Sequence, residues 1–175
     1  MIRRRHVPGC ATRCIMATDD DATVWYALYQ LETKYWHDVD FNCGRAAHEF
    51  YVADGLFVVG DNCFKGRERI REFYAWRERR GTSTVRSVRT TRHLVSNLLV
   101  DRAAADEVRV TGVISFFDGV GRPPVMSTKP AILIADISNE CVRGEDGRWR
   151  FKSHVLQPVF MGDEVPLSIA VDLSR

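Results

Sequence analysis

No apolar run in this sequence approaches the roughly 18 residues needed to cross a bilayer, so a transmembrane helix is excluded. A Gly-rich phosphate loop is missing too, since the turn GVGRPP (119–124) fits none of the nucleotide-cradling patterns. Cysteine is scarce and odd in number. Cys10 and Cys14 lie four apart near the N-terminus, while Cys43, Cys63 and Cys141 are scattered, and no second pair stands at ligand spacing. That pattern predicts no metal site and no disulfide framework, but reduced thiols in a cytoplasmic protein. Neither Cys63 nor Cys141 has a histidine at a diagnostic spacing, which leaves a thiol nucleophile without its base.

Basic charge is not spread over the chain. The formal net charge is +2, and residues 1–15 hold Arg3, Arg4, Arg5 and Arg13 without an acid, so the remainder carries −2 (+2 less four). A nearly neutral body lacks the basic stripe of nucleic-acid binders, and no nucleic-acid partner is expected. The Arg-rich start has no apolar h-region, so export is not expected. Met16, followed by ATDDDATVW, is a candidate alternative translation start. Repeats, low-complexity segments and linkers are absent. The 175 residues, 45% hydrophobic and 27% charged, therefore predict one soluble domain over 19–162, an N-terminal extension over 1–18 and a C-terminal tail over 163–175.

Helical signals come first. Asp19, Asp20 and Asp21 precede ATVWYALYQLETKYWHD, where Trp25, Leu28, Tyr29 and Trp36 can share one face. GRAAHEFY predicts a shorter second helix from about Arg45, DGLFVV a strand and DNCFKG a turn. RERIREFYAWRER is a third helix, with Ile70, Phe73, Tyr74 and Arg77 at helical spacing. Strands follow in VRTTRHLVSNLLV, EVRVTGVISFFDG, PAILIADISNECVR and GRWRFKSHVLQPVF, separated by AAAD, GVGRPP and GEDG. Helices followed by strands predict an α+β fold, a curved mixed or antiparallel sheet around the N-terminal helices with a cavity between them.

One strand carries a histidine. In RTTRHLVSN, alternation puts Thr91, His93, Val95 and Asn97 on one face and Leu94 and Leu98 on the other. Strand position alone leaves open whether His93 is a core residue or a base in a pocket.

The order of elements, with WHDVDFNCGRAAHEFYVADG, FKGRERIREFY, RHLVSN and DGRWRFKSHVLQPVF, resembles the SnoaL-like branch of the NTF2-like superfamily over roughly residues 22–160. The resemblance implies a cone-shaped fold. It is similar to scytalone dehydratase, bile-acid dehydratase and hexachlorocyclohexane dehydrochlorinase, in which an Asp–His pair performs elimination; the matching positions are Asp40 and His93. The second histidine of scytalone dehydratase falls near Gly112, and the tyrosine beside its aspartate is Val39, departures that imply a different substrate. The ketosteroid isomerase base falls on Val59, with Asp61 in the following turn, so that reading loses its base. The β subunits of ring-hydroxylating dioxygenases carry a segment like RTTRHLVSN without catalytic duty, which keeps a structural role, or ligand binding alone, as the alternatives.

Elimination needs a base near neutral pKa, and a carboxylate bonded to the imidazole fixes its tautomer. The resemblance therefore implies His93 as base and Asp40 as its partner, with no cofactor and no metal. Trp25, Tyr29 and Trp36 are expected to line a pocket for a small hydrophobic, cyclic molecule, and Asn97 to donate to a substrate oxygen. Asp38 competes with Asp40 for the carboxylate role. His37 and His48 are expected to be exposed, and His154, sharing an alternating face with Arg150 and Lys152, to lie on a solvated or interface face. The family further implies a homo-oligomer, a dimer or trimer, formed through the outer sheet face.

Overall fold

The computed structural model of the chain describes residues 19–82, 89–126, 130–163, 166 and 169. Helix α1 spans Asp19–Phe41. Its buried apolar residues are Val24, Leu28, Leu31, Tyr35, Trp36 and Val39, a stripe at three- and four-residue spacing. This stripe runs one position beside the expected one, which leaves Trp25 and Tyr29 on its exposed flank, stacked on each other at 5.4 Å. The helix stops where Cys43 and Gly44 adopt positive φ (59° and 73°). The Asp38 carbonyl accepts the N–H groups of Asn42 and Gly44 at 2.8 and 3.0 Å, and its carboxylate accepts that of Ala46 at 3.0 Å. Asp38 is thereby committed to the helix end. Gly44 is required twice over, because a Cβ there would stand 2.2 Å from the Tyr74 ring.

The second helix contracts to one 3-10 turn, Ala47–Phe50. Strand β1, Tyr51–Val59, then pairs antiparallel with β2, Asn62–Lys65. The expected turn over DNCFKG is therefore mostly strand; the chain reverses at Gly60, whose φ is 56°, and Asp61. Helix α2, Arg67–Thr82, buries Ile70, Phe73, Tyr74 and Trp76. The remaining strands are β3 (Arg89–Ala104), β4 (Glu107–Val120), β5 (Leu133–Arg143) and β6 (Trp149–Met161).

The six strands lie in the order β2-β1-β6-β5-β4-β3. β1 and β6 are parallel and the other pairs antiparallel, so the sheet is mixed. It is curved and unclosed, with α1 against β3 and β6 and α2 against β1 and β2. Among the described residues no helix is long and apolar enough to cross a membrane.

Two bulges change the face that side chains take. In β3 the register moves between Ser96 and Leu99, and Asn97 sits at φ 53°. Alternation fails there: Asn97 is exposed and Leu98 turns toward the core. Gly112 lies opposite, where a Cβ would meet Leu98 Cδ2 at 2.7 Å and the Ser96 carbonyl at 3.0 Å. In β6 the partners step from Cys141–Phe151 to Glu140–Ser153, so Lys152 is the extra residue. His154 is consequently inside, fully buried, and not on the solvated face that strict alternation predicts.

Among the described residues three polar ones, Glu32, Asn139 and His154, are buried in this core. Glu32 accepts from Trp36 Nε1 at 3.1 Å and from the Asn139 amide, while Asn139 Oδ1 accepts the Val155 N–H at 3.2 Å. Burial raises the Glu32 carboxyl from 4.5 to about 7 against the lowering effect of its two hydrogen bonds, and burial lowers the His154 imidazole from 6.5 to about 3. The unfolded chain protonates His154 at a pH where the fold keeps it neutral, so this stability is complete above 6.5 and lost as pH falls toward 3. Glu32 acts oppositely: the fold holds a proton that the unfolded chain releases between 4.5 and 7, so stability falls as pH rises through that window. Glu32→Gln should therefore steepen the loss of stability between pH 6.5 and 4.5 by about 1 kcal/mol per pH unit. Urea midpoints across that range check this; equal slopes in variant and wild type would contradict it.

Candidate active site

Asp40 lies in the last turn of α1 and His93 on β3, the strand at one edge of the sheet. An edge strand points alternate N–H groups away from its neighbour. The His93 N–H is received by Asp40 Oδ2 at 2.8 Å. The other carboxylate oxygen accepts His93 Nδ1 at 2.6 Å and Thr91 Oγ1 at 2.9 Å. Thr91 and His93 are two apart on one strand face, so both can reach the same carboxylate.

These contacts fix the protonation pattern. For Asp40 the largest influence is burial, which opposes ionisation, but the bonds from His93 and Thr91 together outweigh it and hold the carboxyl below its ordinary 3.8. For His93 burial dominates and lowers the imidazole below 6.5, with the Asp40 carboxylate opposing and the Arg77 charge adding to the fall. The stable state is thus a carboxylate facing a neutral imidazole. An ionised carboxylate only accepts, so Nδ1 carries the proton and Nε2 is left with a lone pair.

The ring is clamped between Trp36, stacked at 4.3 Å, and Phe116, stacked at 4.4 Å. Among the described residues Nε2 has no hydrogen-bond partner, and the side chain remains 8% accessible. His93 borders an interior cavity with Trp36, Phe57, Tyr74, Arg77 and Phe116; it offers about 20 Å³ to the centre of a water molecule, room for a single water. On its Asp40 side the same histidine borders an open groove of about 280 Å³ with Tyr29, His37, Phe41 and Arg92.

Tyr74 also belongs to a buried chain of hydroxyls. Its oxygen lies 2.5 Å from Tyr35 Oη, Tyr51 Oη donates to Tyr35 at 3.0 Å, and Tyr51 Oη lies 3.1 Å from His154 Nδ1. Burial raises all three phenols above their ordinary 10.0, so all are neutral hydroxyls.

Of the residues singled out in the sequence, the fold brings Asp40, His93 and Trp36 together. Tyr29 reaches the outer groove, whereas Trp25 borders neither space around His93. Asn97 stands on the exposed side of its bulge, away from the cavity. His37 is exposed and stacks on Phe41 at 4.6 Å, and His48 is half-buried. Cys43 and Cys63 are exposed thiols and Cys141 a buried one. Among the described residues no group of three His, Cys, Asp or Glu side chains could hold a metal ion. Tyr74, Tyr35, Tyr51 and His154 escaped sequence reasoning. The available signal was Tyr74 on the apolar stripe of FKGRERIREFY, because a buried tyrosine must find a partner for its hydroxyl.

Such an arrangement suits general base chemistry: a neutral imidazole, anchored at one nitrogen, on the wall of an aromatic-lined cavity. Among curated protein sequences none matches the chain significantly. Among solved structures, a candidate scytalone dehydratase from Novosphingobium aromaticivorans is similar, with 22% identity, a TM-score of 0.70, and coverage of 86% of this chain and 93% of that one. ActVI-ORFA from Streptomyces coelicolor gives 15% identity and a TM-score of 0.68 over 79% and 98% of the two chains. A Catenulispora acidiphila protein, solved in complex with S-DNPA, gives 20% and 0.59 over 78% and 94%. These likenesses establish the NTF2-like fold. The sequence profile described as the SnoaL-like domain matches residues 21–155, most of the chain, and the chain belongs to that family.

Proposed function

We propose that this SnoaL-like domain is a cofactor-independent lyase of the dehydratase type, or a related isomerase or cyclase, acting on a small hydrophobic, cyclic substrate. The observation that carries this reading is the Asp40–His93 bond in a histidine that borders the cavity and whose Nε2 has no partner among the described residues. His93 Nε2 takes a proton from carbon, and Asp40 stabilises the imidazolium that forms. The electron pair left on carbon forms the double bond as the neighbouring C–O bond breaks. The imidazolium then protonates the departing hydroxide, releasing water and restoring the base. The name given to the Novosphingobium protein and the ligand held by the Catenulispora protein support a small-molecule role at this fold.

The same cavity also favours a second reading. Room for a single water is too little for a ring compound unless the aromatic walls part. A non-catalytic subunit, similar to the β subunit of a ring-hydroxylating dioxygenase, needs no such opening. Self-association through the outer sheet face, as a dimer or trimer, belongs to either reading. Leu94, Ser115, Ile134 and Phe160 form one row across that face, and Leu94 and Phe160 are exposed. Light scattering should give a multiple of the 20.0 kDa chain mass; a monomer at micromolar concentration would remove the oligomer.

A screen of cyclic hydroxy-ketones, read by the absorbance of the conjugated product, separates the two functions. His93→Ala should lower turnover by about 10²–10⁴-fold with the fold intact. Asp40→Asn should lower kcat by at least about 10²-fold with little change in KM, because the wrong tautomer is stabilised. Activity requires unprotonated His93, whose pKa lies below 6.5, so the rate should hold at neutral pH and fall on the acid side of that value. Turnover that survives in His93→Ala would remove His93 as the base, whereas a chain that turns over nothing and co-purifies with a larger oxygenase subunit would favour the structural reading.

A further inference from the structure

Among the described residues, Trp36 and His93 alone border both the interior cavity and the outer groove. The indole, stacked on the imidazole at 4.3 Å, forms part of the partition between the two spaces. Asp40 fixes one ring nitrogen of His93, and the stacked rings of Trp36 and Phe116 fix its plane. Trp36 is itself held through its indole N–H. Nε1 donates to Glu32 Oε2 at 3.1 Å, and the Asn139 amide donates to Glu32 Oε1. Both Glu32 and Asn139 are buried.

The donors favour one charge state. An indole N–H cannot accept, and the Asn139 carbonyl oxygen already accepts the Val155 N–H at 3.2 Å, which turns its NH2 group to Glu32. Each oxygen of Glu32 thus meets a donor, and a carboxylate is the form that serves both. A protonated carboxyl would have an O–H without an acceptor among the described residues and would surrender one of the two bonds. A buried carboxylate is a costly way to fill space. What it supplies is a directed hold on the indole that covers the histidine.

We propose that Glu32 is a positioning residue for His93: its carboxylate, tied by Asn139 to β5 and β6, holds the Trp36 indole flat on the imidazole and so keeps the ring plane of the base fixed. This rests on the base assigned to His93. Glu32 acts through Trp36 and meets no reacting atom.

Proton NMR at about pH 8, a unit above the Glu32 value of about 7, reads the position without a substrate. In the wild type the His93 ring protons should lie upfield, shielded by the two stacked rings. Glu32→Gln sets an NH2 group against the indole N–H or the Asn139 amide. It should move the His93 ring protons toward those of an unstacked imidazole and speed exchange of the Trp36 indole N–H by about tenfold. Adding Asn139→Asp should reverse both changes. The introduced amide then donates to the introduced carboxylate, which still accepts from Val155, and the amide oxygen accepts from Trp36. A Glu32 that only stabilised the fold would lower the melting temperature without moving the imidazole. Where turnover is measured at the same pH, Glu32→Gln should lower kcat by up to about 10²-fold with KM little changed, and Asn139→Asp should restore it.

If Glu32→Gln does not fold, the wild type decides the matter. Burial raises the Glu32 carboxyl to about 7, so the His93 ring protons and the Trp36 indole N–H should step together near that pH, above the protonation of the imidazole itself. The titratable or charged groups around Glu32 are Tyr51 of β1, Cys141 of β5, and Tyr29, His37 and Arg92 of the groove. Those around His93 are Asp40, Arg77, Asp118 and His154. None of them accepts the indole N–H, so a step shared by Trp36 and His93 belongs to Glu32. Ring protons unmoved in Glu32→Gln, a change that Asn139→Asp fails to reverse, an unaltered kcat, or a wild type without the shared step would each overturn the assignment. The shifts involve no proton transfer from carbon, so unmoved shifts leave the His93 base standing, and loss of the base leaves a positive shift result standing.

Discussion

The carboxylate of Asp40 joins the two halves of this protein. It sits in the last turn of the long helix and accepts three hydrogen bonds from two residues of the edge strand. The edge strand has no neighbour to receive the His93 N–H, so the helix must supply the acceptor. The same contact that seats α1 on β3 orients the imidazole and selects its tautomer. Removing the carboxylate leaves a buried N–H and a threonine hydroxyl to find new partners, a cost of about 1–3 kcal/mol for each unsatisfied group. Architecture and candidate chemistry share one interaction.

Around that contact the interior is filled with rings. Tyr35, Tyr51, Phe57, Phe73 and Phe151 are essentially inaccessible to solvent. Full burial of an aliphatic or phenylalanine-sized side chain stabilises by about 1.5–3 kcal/mol, so the cone is a core before it is a pocket. The polar groups are placed within the packing. Glu32 holds the indole of Trp36, Trp36 lies flat on His93, and the tyrosine hydroxyls run from His154 to the cavity wall. Binding a ring compound requires some of these contacts to open, which ties ligand size to the mobility of the aromatic walls.

Much of the fold was legible because hydrophobic spacing reports it directly. The long first helix, the Ile70–Phe73–Tyr74 stripe and the four long strands all follow their patterns. Asp40 and His93 were singled out through the family motif and not through periodicity, which left the histidine ambiguous. The misreadings cluster at bulges and helix ends. One extra residue at Lys152 carries His154 from the outer face to the core, and a left-handed Asn97 sends its own side chain out and Leu98 in. Neither bulge has a signature in a single strand, because each depends on register against a neighbour. Gly112 faces the Asn97 bulge, and the reason for a glycine there is visible only with both strands in place. The tyrosine chain was hidden for the same reason: its members come from α1, β1 and α2, and its histidine from β6.

His93, as a base, must be neutral, with its proton on Nδ1 and a bare Nε2. Nitrogen-15 NMR of the labelled chain near neutral pH reads this state directly. Nδ1 should show a protonated-nitrogen shift, with its proton moved far downfield by Asp40, and Nε2 the shift of an unprotonated ring nitrogen. That pattern should persist on the acid side until pH falls below the ordinary histidine value of 6.5. A proton on Nε2 near neutral pH, as the opposite tautomer or as imidazolium, would contradict it.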